Sequence, residues 1–118
     1  MAIENLMNVF EEGGELAKQA DIAGENGQVE SAKRMHLHAA RIEAGVLFQI
    51  PIDQPRTRAV IGNSVVALYY KGGDSTRAKI LGELLFSDVS LDSQEYNLND
   101  IRDIVTEIDD NKTSIVLK

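Results

Sequence analysis

Residues 59–88 read AVIGNSVVALYYKGGDSTRAKILGELLFSD, and this stretch decides the fold. Its first half places Ile61, Val65, Leu68 and Tyr69 at steps of three and four, the spacing of one helix face. Lys71-Gly72-Gly73-Asp74 then interrupts the pattern, because glycine adopts the left-handed backbone that ends a helix. Asp74 or Ser75 offers a side-chain oxygen to cap a new helix. Ala78, Leu81, Leu84 and Leu85 carry the helical spacing beyond it. Two helices are therefore expected, over 57–71 and from 75 onward, folded back on each other across a tight turn.

The same reading extends upstream. Ile3, Leu6, Met7, Phe10, Gly13, Ala17, Ala20 and Gly24 form one helical stripe. The Gly13-Gly14 pair costs roughly 1 kcal/mol per glycine relative to alanine in a helix interior. Two readings follow: a kink that divides the helix, or a small-residue groove (Gly13, Ala17, Ala20, Gly24) against which the next helix lies closely. Glu25-Asn26-Gly27 reads as a stop and turn. A second helix is expected over 29–48, with Val29, Ala32, Met35 or His36, Ala39, Ile42 and Val46 on one face. The run IPIDQP (50–55) ends it, since proline cannot continue a helix interior.

Downstream, residues 88–99 are polar and loop-like. Leu98, Ile101, Ile104, Val105 and Ile108 then predict an amphipathic helix ended by Asp109-Asp110-Asn111. Residues 113–117 are β-prone and are expected as an extended tail; a hairpin over 101–117 turning at DDNK is the alternative. The expected architecture is all-α in a single domain, 1–118. About five helices form antiparallel hairpins over about 15–48 and 57–88, closed by a C-terminal cap over 97–118.

Composition narrows the chemistry. A chain of 118 residues with 43% hydrophobic content and no tryptophan builds one mostly aliphatic core. The absence of cysteine excludes disulfides, thiol nucleophiles and thiolate metal sites, and fits a reducing compartment. The N-terminal MAIENLMNVFEEGGE lacks a basic region and a long apolar run, so no signal peptide or membrane span is expected and the cytoplasm is the expected location. A net charge of −7 disfavours nucleic acid and anionic lipid as partners. Charge is nonetheless polarised. Lys33, Arg34, Arg41, Arg56, Arg58, Lys71, Arg77 and Lys79 meet only Glu43, Asp53 and Asp74 within 33–79, and the flanks are acidic. Either these segments pair within one fold, or the basic centre is a face for an acidic partner or for another copy's acidic end.

Residues 59–88 resemble a tetratricopeptide repeat. Val65 and Val66 take the places of the family's large-then-small pair, Tyr69 its aromatic place four residues before the turn glycine Gly73, and Ala78 the small residue of the second helix. Leu85 stands where the family prefers alanine, Gly62 where it prefers a large aromatic, and no proline closes the unit after Asp88. Residues 16–44, LAKQADIAGENGQVESAKRMHLHAARIEA, look like a less complete copy with Gly27 as turn glycine, and are also similar to the first two helices of microtubule-interacting and trafficking domains. The turn glycines are 46 residues apart, against about 34 in a regular array. The resemblance implies a non-catalytic module binding a protein, a peptide or its own copies. Asn63, Ala67, Tyr70 and Lys71 would line its concave face, and Arg56 and Arg58 of the basic centre join them as candidate partner-binding residues. A regulatory subunit encoded beside an enzyme is a further possibility.

Other motifs are less specific. His36 and His38 are two apart and point away from each other on a helix, and His36 falls on the apolar stripe, which marks it as a structural histidine. Glu12 and Glu15, with Glu107 and Asp110, have the spacings of all-α nucleotide pyrophosphohydrolases that hold Mg²⁺. The surrounding residues do not otherwise follow that family, which stands as the alternative. Gly72-Gly73 lacks the G-K-[ST] of a phosphate loop. Asn111-Lys112-Thr113 has the form of a glycosylation acceptor. No catalytic residue, metal ligand or cofactor is expected. If the helix faces are right, Tyr69→Ala costs about 3–5 kcal/mol, the range for emptying a buried aromatic site, and Tyr70→Ala much less. Equal costs in denaturant melts would show the faces to be misassigned.

Overall fold

The computed structural model describes residues 3–88, 91 and 97–117, the side chains of 112–117 excepted. Five helices occur among the described residues: α1 (Ile3–Glu25), α2 (Val29–Leu47), α3 (Pro55–Lys71), α4 (Ser75–Ser87) and α5 (Asn99–Leu117). None of them is long and apolar enough to cross a membrane.

Two turns of the same construction fold the hairpins. After α1, Gln28 N–H donates to the Ala23 carbonyl and Gly27 N–H to that of Gly24. After α3, Asp74 N–H donates to Tyr69 and Gly73 N–H to Tyr70 in the same pattern. Both are Schellman closures, which need a left-handed residue, and Gly27 (φ 82°) and Gly73 (φ 85°) supply it. Asp74 then caps α4, accepting from Arg77 N–H at 3.0 Å. The turn of the first hairpin thus repeats that of the second, although Gln28 supplies no side-chain cap to α2.

Each helix packs against its neighbours in sequence, and α5 lies against both α3 and α4. The molecule measures 47 × 32 × 17 Å, a slab no more than two helices thick. Glycines set the closest approaches. A Cβ on Gly13 would lie 2.8 Å from Glu43 Cγ, one on Gly62 2.8 Å from Leu85 Cδ1, and one on Gly82 2.7 Å from Val105 Cγ2. Gly62 and Leu85, two of the three positions at which the resemblance is incomplete, are therefore two halves of one contact: Gly62 leaves the room that Leu85 fills. Leu98, just before α5, and Ile101 within it are fully buried and close the open side of α3 and α4.

Three expectations need correction. The Gly13-Gly14 pair does not divide α1, which runs unbroken; the small-residue groove is the reading that holds, with Gly13 and Ala20 buried under α2. Asp109-Asp110-Asn111 does not end α5, and residues 113–117 continue the helix in place of an extended tail or hairpin. Extending a formed helix is far cheaper than starting one, which outweighs weak β propensity. Part of the expected loop over 88–99, namely 89–90 and 92–96, lies outside the described residues.

Val105 is β-branched and cannot swing aside for a new methyl group at Gly82. Gly82→Ala is expected to destabilise by about 1–3 kcal/mol. Gly14, where an added Cβ meets nothing within 4 Å, is expected to give roughly 0.5–1 kcal/mol of added stability on replacement by alanine. Urea melts of the two variants check the contrast.

Candidate functional site

The face of α3 singled out by the family resemblance is engaged within the chain. Asn63 donates from Nδ2 to the Ala59 carbonyl at 3.1 Å and to the Asn97 carbonyl at 2.7 Å, tying α3 to the start of α5. Tyr70 hydrogen-bonds the Glu107 carboxylate on α5, and that bond, with desolvation behind it, raises the phenol pKa above its ordinary value. Lys71 Nζ lies 3.8 Å from Asp21 Oδ1 on α1. Arg58 Nη2 meets Asp88 Oδ2 at 2.6 Å, while Arg56 is exposed in the first turn of α3.

These contacts answer part of the charge question. Lys71–Asp21, Arg58–Asp88 and Lys79–Asp109 (2.6 Å) each join the basic centre to an acidic flank. Arg34 and Arg41 stay exposed on α2, without an ion pair among the described residues. Arg77 Nη1 holds Asp74 Oδ2 at 2.6 Å. Burial alone would raise the Asp74 pKa, but the backbone N–H and guanidinium of Arg77, helped by Arg41, bring it below its ordinary value.

The acidic pairs do not meet. Glu12 and Glu15 are exposed on α1, which packs on α2, whereas Glu107 and Asp110 are exposed on α5, which packs on α3 and α4. Among the described residues no group of three or more histidines and carboxylates is placed to hold a metal. His36 is buried with Nε2 3.1 Å from Asp21 Oδ1, so that nitrogen carries the donated proton. His38 is exposed.

Two features escape the sequence reading. Glu43 is 1% exposed, wedged against Gly13 with one carboxyl oxygen, Oε1, unpartnered. Desolvation raises its pKa, against a hydrogen bond from Ser64 of α3 that works to lower it. Spacing was the available signal, since Glu43 lies four residues beyond Ala39 on the buried stripe. The second feature is a groove. α2 and α4 both pack on α3 and scarcely touch each other. The gap between them has Tyr69 and Leu81 as floor and Ala44, Phe48, Ile80 and Leu84 as walls, a cavity of about 170 Å³ with Arg77 at its rim. Phe48 is 73%, Leu84 58% and Ile80 54% exposed. A second depression, about 140 Å³, lies across the Phe48–Leu84 ridge and is lined by Leu47, Ile50, Leu85, Arg58 and Asp88.

Comparison with known proteins finds no matching family model, curated protein or solved structure. The likeness to tetratricopeptide hairpins thus rests on the residues quoted above.

Glu43 gives the fold a pH signature. Its raised folded-state pKa means that the native state holds this proton more tightly than the unfolded chain. The stability contributed by the neutral carboxyl is complete below the ordinary value of 4.5 and is lost as pH climbs through the raised one. Asp74, shifted the other way, loses its contribution as pH falls, equally in wild type and a Glu43 variant. The stability difference between Glu43→Gln and wild type should therefore grow in favour of the variant as pH rises above 4.5, then level off. Chemical melts from pH 4 to 8 read it, and a difference that does not change with pH would contradict the assignment.

Proposed function

We propose that the chain is a partner-binding helical module without chemistry of its own, and that its docking surface is the groove between α2 and α4. The observation that carries this reading is the contiguous exposed apolar surface of Phe48, Ile80 and Leu84, flanked by two depressions. Soluble chains leave single apolar side chains exposed freely, but grouped ones around a concavity mark contact surfaces. Covering a side chain of this size contributes about 1.5–3 kcal/mol when it passes fully out of water, so three together provide the core of an interface. Kinship with tetratricopeptide hairpins is part of the same reading, supported by the glycine-closed turn between α3 and α4 and by the burial of Tyr69 and Ala78. A partner reaching Asn63 or Tyr70 would have to displace α5; Arg56 is open to contact without such a change.

Phe48 and Leu84 are mostly exposed, so Phe48→Asp and Leu84→Asp should change folding stability by no more than about 0.5 kcal/mol. Each should cut retention of a native-lysate partner by at least roughly tenfold. Pull-down with wild-type and variant chains, beside light scattering over a concentration series, makes the comparison. A wild-type chain that is monomeric throughout and retains nothing refutes the reading.

A further inference from the structure

We infer that the α2/α4 groove receives an acidic amphipathic helix from another protein, lying along α2 with its backbone close over Gly45. This rests on the partner-binding reading above and adds the chemistry of the partner.

The first ground is charge. Arg34, Arg41 and Phe48 are spaced seven apart, which sets them along one side of α2. Arg77 joins them from α4 at the groove's rim. Asp74 lies in their midst, held by Arg77 at 2.6 Å and acted on by Arg41, and Glu30, one turn before Arg34, is paired with Lys33 at 3.8 Å. In a chain of net charge −7, this is a local surplus of positive charge beside apolar surface. Its complement is negative charge beside apolar side chains. A twofold pairing of two copies through this face would bring two surfaces with the same positive surplus together, which argues against self-occupation.

The second ground is Gly45. It lies on the same side of α2, between Arg41 and Phe48, and is exposed in the helix interior. At Gly13, Gly62 and Gly82 another side chain of this protein occupies the space a Cβ would take, whereas at Gly45 nothing lies within 4 Å. Glycine is disfavoured in a helix interior relative to alanine, and a backbone approaching from outside is what this position accommodates. Gly14 on α1 shares the openness but not the groove.

Shape is the third ground. The two depressions on either side of the Phe48–Leu84 ridge suit apolar anchors at i and i+3 or i+4 of a docked helix. From Arg34 to Phe48 the stripe runs about 21 Å, the length of roughly four helical turns.

The test uses the full chain and a fluorescein-labelled helical peptide of about 18 residues. The peptide carries leucine and phenylalanine on one face and glutamate along the flanks. A second peptide replaces every glutamate by lysine. Anisotropy titrations should show the glutamate peptide binding at least roughly tenfold tighter at about 50 mM salt, with the gap shrinking as salt rises. The Arg34→Gln/Arg41→Gln chain should lose most of that preference. Gly45→Leu should weaken the glutamate peptide by at least roughly tenfold without lowering the melting temperature. Equal affinities, or preference for the lysine peptide, overturn the acidic partner while leaving the groove as a docking surface. Undiminished binding to Gly45→Leu overturns the close approach. Failure of both peptides, beside a lysate partner still lost on Leu84→Asp, overturns the helical occupant; a dimer abolished by Leu84→Asp replaces it with a second copy. Absence of any partner in every assay overturns the partner-binding reading itself.

Discussion

Small-to-large interlocking between consecutive helices is the constraint on which the rest of the molecule depends. α1 leaves a gap at Gly13 that Glu43 of α2 fills, α3 leaves one at Gly62 for Leu85 of α4, and α4 one at Gly82 for Val105 of α5. α2, α4 and α5 are thus each received by the helix before them, while between the hairpins Gly72 at the end of α3 makes room for Leu37 of α2. The device suits a chain with no tryptophan and few aromatic residues, where close backbone approach must provide the contact that large rings provide elsewhere. At the centre, α3 packs against α2, α4 and α5 together. Ile61, Val65 and Val66 are consequently enclosed completely.

What the sequence made legible was local. Helix spacing and the turn glycines at 27 and 73 placed four of the helices to within a few residues, because a left-handed residue and a capping aspartate act on their own neighbourhood. What escaped it depended on distant parts of the chain. A pair of glycines reads as a break unless one knows that another helix leans on one of them. Gly62 and Leu85 read as separate departures, although each is the reason for the other. The polar run Asp109-Asp110-Asn111 reads as a stop, yet a helix already begun passes through it.

The candidate surfaces divide in the same way. The α3 face holding Asn63 and Tyr70 was readable as a face, since helical spacing defines it. Its engagement by α5 was not, because the segment that reaches it arrives from more than thirty residues away. The groove between α2 and α4 was invisible for a different reason. It is a property of the distance between two helices that share α3 as a support, and no run of residues encodes a gap. Ion pairing sharpened the contrast: the lysines near α5 and α1 are drawn into pairs across the fold, and the arginines along α2 stay exposed without a close ion pair among the described residues.

Glu43 has a consequence for how α1 is seated. The inner face of α1 buries Leu6 near its start but only Gly13, Ala20 and Ala23 further along, so its later turns offer few large side chains to hold α2 in one register. A buried carboxyl removes that freedom. Only opposite Gly13 does it find room for its chain, with Ser64 of α3 in reach of its head; in any shifted register it would meet a Cβ and lose its hydrogen bond. The penalty for an unsatisfied buried acid exceeds what a methylene contact returns. The residue that weakens the core in thermodynamic terms therefore acts as an indexing pin for the later turns of the first hairpin, beside the larger side chains that Leu6 and Phe10 bring to its start.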